Sequence, residues 1–372
     1  MMRIIMIIPI LLFAFVFSAP NVAASVQVSA KSAVLIDQAT GRVLYEKNAN
    51  EKSLIASITK IMTAIVAIES GDLKEHVKVS NRAIGTEGSS IYLRKEDQFT
   101  LEELIYGLML RSGNDAAVAI SEQVGGSEEG FVHLMNEKAS WIGMTDTHFD
   151  NPHGLDSDTH YSTAYDMAKL MKYAMDNEIF TEISGAESFK ANDRDYAWHN
   201  KNKLLTSYYD YCIGGKTGYT KAAGRTLVTS AEKDGQRLIA VTLNAPNDWQ
   251  DHIQMFEWGF DTFDQEKLQS IGIYSYKDKS NGNIINGKIT ENVIYPLKNE
   301  EMNQVETKTF ISSSTDNTAG HFGKKVFYLD GKQIAETVIY HVDKQIEKET
   351  DHNHFWTEVW SSFSRFLGDQ DD

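Results

Sequence analysis

The stretch Ala56-Ser57-Ile58-Thr59-Lys60, with the run behind it, constrains this chain more than any other feature. Ile58, Ile61, Met62, Ile65 and Ile68 recur at three- and four-residue spacing, which is the period of a helix with one buried stripe. On such a helix residues three apart are neighbours, so Lys60 lies one turn above Ser57. A serine hydroxyl is a poor nucleophile until a base takes its proton. A lysine is such a base only where burial and nearby positive charge pull its pKa towards neutrality. The helix N-terminus adds a backbone N–H near Ser57 that can stabilise an oxyanion. Taken alone, the pattern is more commonly a serine N-cap followed by a surface lysine.

Two further stretches change that weighting. One is Leu110-Arg111-Ser112-Gly113-Asn114-Asp115 and the other is Gly214-Gly215-Lys216-Thr217-Gly218-Tyr219-Thr220. Serine–lysine active sites combine S-x-x-K, S-x-N and K-T-G in that order, and here the three follow at about fifty and then about a hundred residues. Thr100-Leu101-Glu102-Glu103 is a capping-box match ahead of the apolar run Leu104 to Leu110, so a helix ends near Gly113. That places Ser112 and Asn114 on the connection to the next helix, Ala116 to Val124. From there a hydroxyl can relay a proton and an amide can orient a substrate amide.

The first residues are a leader-like segment. Met1 to Ala24 hold Arg3, an apolar run from Ile4 to Phe17, and small residues ahead of Ser25, which reads as a cleaved secretory signal. Its removal takes the formal charge from −16 to −17. Such acidity argues against nucleic-acid binding. A secreted chain with one cysteine, Cys212, has no internal disulfide, so stability has to come from core burial. The roughly 350 remaining residues are enough for two domains. Cys212 reads as a small buried apolar residue and is assigned no chemistry.

Ser32 to Asp37 and Arg42 to Glu46 read as a hairpin leading to the Ser57 helix. Ala222 to Ala231 and Gln236 to Asn244 read as strands joined by an Asp-Gly turn, which sets the Lys216 strand in an antiparallel meander. Gly130 to Met144, Ser162 to Met175 and Trp249 to Phe263 read as helices. Strands at both ends and helices between them give an α+β layout, an antiparallel sheet flanked by a helical lobe. His153 and His160 lie in turn-rich sequence with no Cys/His/carboxylate cluster at ligand spacing, so they read as a structural loop beside the cleft and no metal is expected. No cofactor is implied.

After Phe263 the chain changes to short alternating runs with an Asp330-Gly331 turn, read as a small all-β domain. The expected organisation is a signal peptide at 1–24, a catalytic domain at 25–265, the β domain at 266–342, and a linker with an amphipathic helix at 343–372. Phe355, Trp356, Trp360 and Phe363 share a face of that last helix, which suggests a membrane interface. Packing onto the protein is the alternative.

The three motifs, the hairpin before Ser57 and the trailing β domain resemble the D-alanyl-D-alanine carboxypeptidases, low-molecular-mass penicillin-binding proteins of the penicillin-recognising serine fold. The stretches Asn151 to Leu155 and Lys216 to Thr220 look most like the sporulation-associated branch. The resemblance implies that Ser57 attacks the carbonyl between the terminal D-alanines of a peptidoglycan pentapeptide stem, with Lys60 as base. It implies that Ser112 and Lys216 carry the proton to the leaving amine, that Lys216 and Thr217 hold the terminal carboxylate, and that Asn114 holds the peptide amide. Gly218 completes the third motif, and the backbone N–H groups of Ser57 and Tyr219 form the oxyanion hole. β-Lactam antibiotics would acylate Ser57. One departure stands out. An arginine that some relatives carry beyond the third motif is not evident, and Asp248 and Trp249 occupy that neighbourhood. The rival readings are a β-lactamase of the same fold and a non-catalytic wall-binding relative.

Overall fold

The computed structural model describes residues 26–192, 194–277, 282–311 and 320–342. The leader at 1–24 and the aromatic segment at 343–372 lie outside the described residues.

The first hairpin is β1 (Ser32–Asp37) and β2 (Val43–Lys47). A helical lobe follows: α1 (Lys60–Ser70), α2 (Asn81–Ile84), α3 (Leu101–Arg111), α4 (Asn114–Gly125), α5 (Glu128–Trp141), α6 (Ala164–Met175) and α7 (Glu178–Gly185). A short pair, β3 (Ser188–Phe189) and β4 (Trp198–His199), precedes the meander β5 (Cys212–Thr220), β6 (Gly224–Lys233) and β7 (Gln236–Leu243), and α8 (Asp248–Thr262) closes this part. The central sheet has the order β2-β1-β7-β6-β5 and every pair is antiparallel. Pairing of β1 with β7 ties the first strand to the last, and it leaves the Lys216 strand at the sheet's edge.

The sheet is buried on both faces, and alternation sorts the residues. Val34, Ile36, Val228, Ile239 and Val241 join the core of the helical lobe, while Leu35, Leu227, Leu238 and Ala240 join the core under α8. Asp234 and Gly235 turn the chain between β6 and β7 with φ of +52° and +82°, the left-handed pair that a two-residue hairpin demands.

The α1 helix departs from the expectation of one buried stripe. It is buried all round from Lys60 to Ile68, because it runs through the middle of the lobe with α3, α4, α5, α6 and α7 about it. Thr63, Ala64 and Ala67 are small enough for neighbours to close on its other faces. The capping box forms as expected: Glu103 N donates to Thr100 Oγ1, and Thr100 N donates to Glu103 Oε2. Asn114 is the first residue of α4 and does not lie on a free connection, since a single residue, Gly113, separates it from the bend at Ser112. The α7 helix and the β3–β4 pair were not foreseen, being too short to show a period.

The remaining strands are β8 (Asp264–Gln269), β9 (Gly272–Lys277), β10 (Ile284–Ile289), β11 (Val293–Leu297), β12 (Glu306–Ile311), β13 (His321–Leu329) and β14 (Lys332–His341). They form a sheet of order β12-β13-β14-β10-β9 and a β8–β11 pair. Tyr295, Leu297 and Leu329 form a small core of their own. Arg42, beside β2, reaches this part: it donates to the Pro296 carbonyl, pairs with Glu301 at 2.6 Å, and lies over the rings of Phe263 and Tyr295.

Candidate active site

Ala56–Thr59 is one turn of 3₁₀ helix that runs into α1. Ala56 carries φ of +51°, a left-handed conformation that costs a residue with a side chain roughly 1–2 kcal/mol. The surroundings hold it there. Gly154, at φ +85°, packs so tightly that a Cβ would overlap the Ala56 carbonyl. Thr59 Oγ1 donates to that carbonyl at 2.8 Å and accepts from His160 Nε2 at 2.8 Å. His160 Nδ1 accepts from the Asp150 N–H, which assigns the proton to Nε2. Burial pushes this imidazole down to about 4, so it is neutral and a fixed donor. His160 therefore aims the turn that carries Ser57, a role its sequence context did not reveal.

Lys60 is fully buried. Its Nζ lies 3.0 Å from Ser57 Oγ, 2.7 Å from Asn114 Oδ1 and 2.6 Å from the His153 carbonyl. A neutral amine has two N–H groups and one lone pair. With the N–H groups given to Asn114 and His153, the lone pair faces the Ser57 hydroxyl. Burial, then the charge of Lys216, then that of Lys201, hold the amine well below its ordinary pKa, and only Asp115 opposes them. The tuning that a lysine base needs is thus built into the cleft.

Asn114 is itself held. Its Nδ2 donates to the Glu87 carbonyl at 2.7 Å and its backbone N–H to the Ser89 carbonyl at 2.7 Å. Asp115 accepts from Ser90 Oγ and from the N–H groups of Ile91 and Leu93, which clamps the loop above the cleft. Ser112 caps α3 in a left-handed bend, φ +63°, and is buried. Strain of this kind collects where a side chain must be aimed.

The edge strand β5 brings the third group. Lys216 is buried, and burial with the charge of Lys201 lowers its pKa to about 7. Its Nζ donates to the Thr217 carbonyl at 2.9 Å. A Cβ at Gly218 would lie 2.9 Å from Ser57 N and 3.1 Å from Ile58 N, so a glycine is what lets β5 pass the nucleophile turn. Tyr219 follows on the same strand and is 66% exposed.

Lys201 stands in a polar run without a period, so no sequence pattern marks it. It is a third amine here, donating to Ser89 Oγ at 3.2 Å and depressing both other lysines. His153 contributes its backbone carbonyl, a group no side-chain pattern can announce. Its imidazole accepts from the Leu155 N–H and is pushed down to about 3 by burial, then by Lys60. Cys212 is buried, and burial raises its thiol to about 11. Asp248 and Trp249 open α8 on the far side of the sheet, where Asp248 accepts from Arg225 of β6.

A partly exposed serine hydroxyl, a buried amine of depressed pKa at hydrogen-bond distance and two further lysine amines make up the kind of site that serine acyl-transfer enzymes use. The chain belongs to the D-alanyl-D-alanine carboxypeptidase family (Peptidase S11), whose profile matches residues 18–247. It is 35% identical to D-alanyl-D-alanine carboxypeptidase DacF of Bacillus subtilis (strain 168) over 83% of this chain and 84% of that protein. It is 37% identical to DacC of Escherichia coli (strain K12), over 67% of this chain and 65% of that protein. Among solved structures, penicillin binding protein 5 from Haemophilus influenzae superposes with a TM-score of 0.70 at 27% identity, over 84% of this chain and 96% of that one.

Proposed function

We propose that this chain is a serine D-Ala-D-Ala carboxypeptidase that removes the terminal D-alanine from peptidoglycan pentapeptide stems through an acyl-enzyme on Ser57. The observation that carries the reading is the Lys60 amine 3.0 Å from Ser57 Oγ, with its two N–H groups already accepted elsewhere. The Lys60 lone pair takes the hydroxyl proton as Oγ bonds to the penultimate carbonyl carbon. The negative oxygen settles on the N–H groups of Ser57 and Tyr219. Collapse breaks the C–N bond, and the proton passes from Lys60 by way of Ser112 and Lys216 to the leaving amine. Lys216 and Thr217 hold the terminal carboxylate, Gly218 keeps the strand that carries them close against the nucleophile turn, and Asn114 holds the peptide amide. Water then hydrolyses the ester and frees Ser57. A β-lactam acylates the same hydroxyl and leaves slowly.

We further propose the division into a cleaved leader at 1–24, a catalytic domain at 25–265, a β domain at 266–342 and a linker with an amphipathic helix at 343–372, which lays Phe355, Trp356, Trp360 and Phe363 on the outer face of the membrane. Among the described residues no helix is long and apolar enough to cross a membrane. The sporulation-associated placement is our reading of the stretches Asn151 to Leu155 and Lys216 to Thr220.

The test is intact-protein mass spectrometry after benzylpenicillin, with mapping of the modified peptide, alongside D-alanine release from a pentapeptide. A long-lived adduct on Ser57, and release abolished by Ser57→Ala, are expected. Penicillin turned over within seconds would assign a β-lactamase instead. No release by the unaltered protein would assign a binding module.

A further inference from the structure

Behind the edge strand, on the α8 side of the sheet, lies an open groove with a cavity volume of about 830 Å³. It begins where the catalytic strand leaves the cleft: Arg225, one of its walls, is the direct partner of Tyr219 across β5 and β6, three residues beyond Lys216. Tyr208 and Trp249 supply two aromatic rings, edge to face with centroids 6.3 Å apart, and Tyr208 is half exposed. The Arg225 guanidinium lies over the Trp249 ring at 5.3 Å and donates twice to Asp248 Oδ1, at 2.9 and 2.7 Å. Asn247 and Gln250 are exposed on the rim.

The chemistry of this lining selects a ligand class. Arg225 is neutralised by the buried carboxylate of Asp248, and Lys203, whose amine lies over the Tyr208 ring at 5.9 Å, stands outside the lining. Planar amide and guanidinium groups present donors and acceptors side by side, matching neighbouring hydroxyls and an acetamido group. The aromatic rings offer flat apolar faces to the C–H faces of a ring compound. A neutral, polyhydroxylated ring fits all three features.

We propose that this groove is a carbohydrate subsite, which holds an N-acetylated amino sugar of the glycan that bears the stem peptide. The proposal rests on the carboxypeptidase reading given above. Trp249 and Tyr208 supply the stacking surface, and Arg225, aligned by Asp248, hydrogen-bonds the sugar oxygens. The subsite acts on affinity for the sugar-bearing substrate and leaves the chemistry unchanged.

The test compares a free pentapeptide with the same pentapeptide joined to its disaccharide, using the full chain and its Trp249→Ala and Tyr208→Ala variants. Losing one stacked ring is expected to raise KM for the disaccharide substrate about tenfold. The kcat, the kinetics on free pentapeptide and the rate of benzylpenicillin acylation are expected to stay at the unaltered values. Acylation also reports that each variant is folded; should Trp249→Ala not fold, Tyr208→Ala carries the same comparison. A tetrasaccharide of N-acetylglucosamine, titrated by calorimetry, is expected to bind the unaltered chain and not the variants. Equal change on both substrates, no change on either, or tetrasaccharide binding that survives both variants would overturn the proposal. If the unaltered chain binds the tetrasaccharide but releases D-alanine from neither substrate, the carboxypeptidase reading fails and the sugar site stands.

Discussion

Asn114→Asp is the sharpest probe of the lysine base. The change is isosteric and puts a carboxylate oxygen where Oδ1 now stands, 2.7 Å from Lys60 Nζ. Two unit charges at that separation attract by about 6 kcal/mol at an effective dielectric of 20, and by about 1.5 kcal/mol if fully water-screened. At about 1.36 kcal/mol per unit, the Lys60 pKa rises by between roughly one and four and a half units. A raised pKa means less neutral amine at pH 7, so each unit above the working pH removes another factor of about ten from the reactive fraction. Asn114 Nδ2 now donates to the Glu87 carbonyl at 2.7 Å, and losing that bond costs about 1–3 kcal/mol of stability as a separate effect. The assay is the rate of benzylpenicillin acylation from pH 6 to pH 10, followed by intact mass. The variant is expected to acylate at least tenfold more slowly at pH 7, with its acidic limb moved upwards by at least a unit, so that the deficit shrinks as pH rises. A deficit that stays constant across the pH range, or an unmoved limb, would refute a neutral Lys60 as base.

Gly154→Ala is expected to destabilise the chain by several kcal/mol and to lower acylation as well, because its Cβ overlaps the Ala56 carbonyl at φ +85°; thermal melting with and without benzylpenicillin checks both. Lys138, fully buried and paired with Glu69 at 2.8 Å, is expected to cost about 3–5 kcal/mol when changed to Met, and the double change Lys138→Met with Glu69→Leu to recover much of it, read from urea midpoints. Lys216 has a folded pKa of about 7, below its unfolded value of about 10.5. In that window the unfolded chain binds a proton that the folded chain does not, so this group makes stability rise from pH 7 towards pH 10.5 and adds no slope well below pH 7. Urea unfolding of the unaltered chain and Lys216→Met at pH 7 and pH 9 is expected to show the larger rise in the unaltered chain.

Much of this site was legible because its elements obey local rules. The spacing of Ser57 and Lys60 follows from one helical turn, the box at Thr100 and Glu103 marks the start of α3, and Asp234-Gly235 marks the β6–β7 hairpin. What escaped was set by tertiary packing. Lys201 acts through charge across the cleft, His153 through a main-chain oxygen, and His160 through a tautomer fixed by the Asp150 N–H. The all-round burial of α1 was also hidden, since Ala64 and Ala67 read as neutral to a hydrophobic stripe and become core only when five helices close on them. Arg225, nine residues beyond Lys216, pairs with Asp248 on the α8 side of the sheet, a tertiary pairing that no local pattern announces.

That β5 terminates the central sheet has a consequence for what can be processed at all. A border strand recognises its guest through the guest's main chain, as one more strand laid alongside it. Segments already wound into helices, or whose amides are already paired in a sheet, have nothing to offer such a border. Conformation is therefore screened ahead of residue identity, and loose ends are favoured over chains already folded.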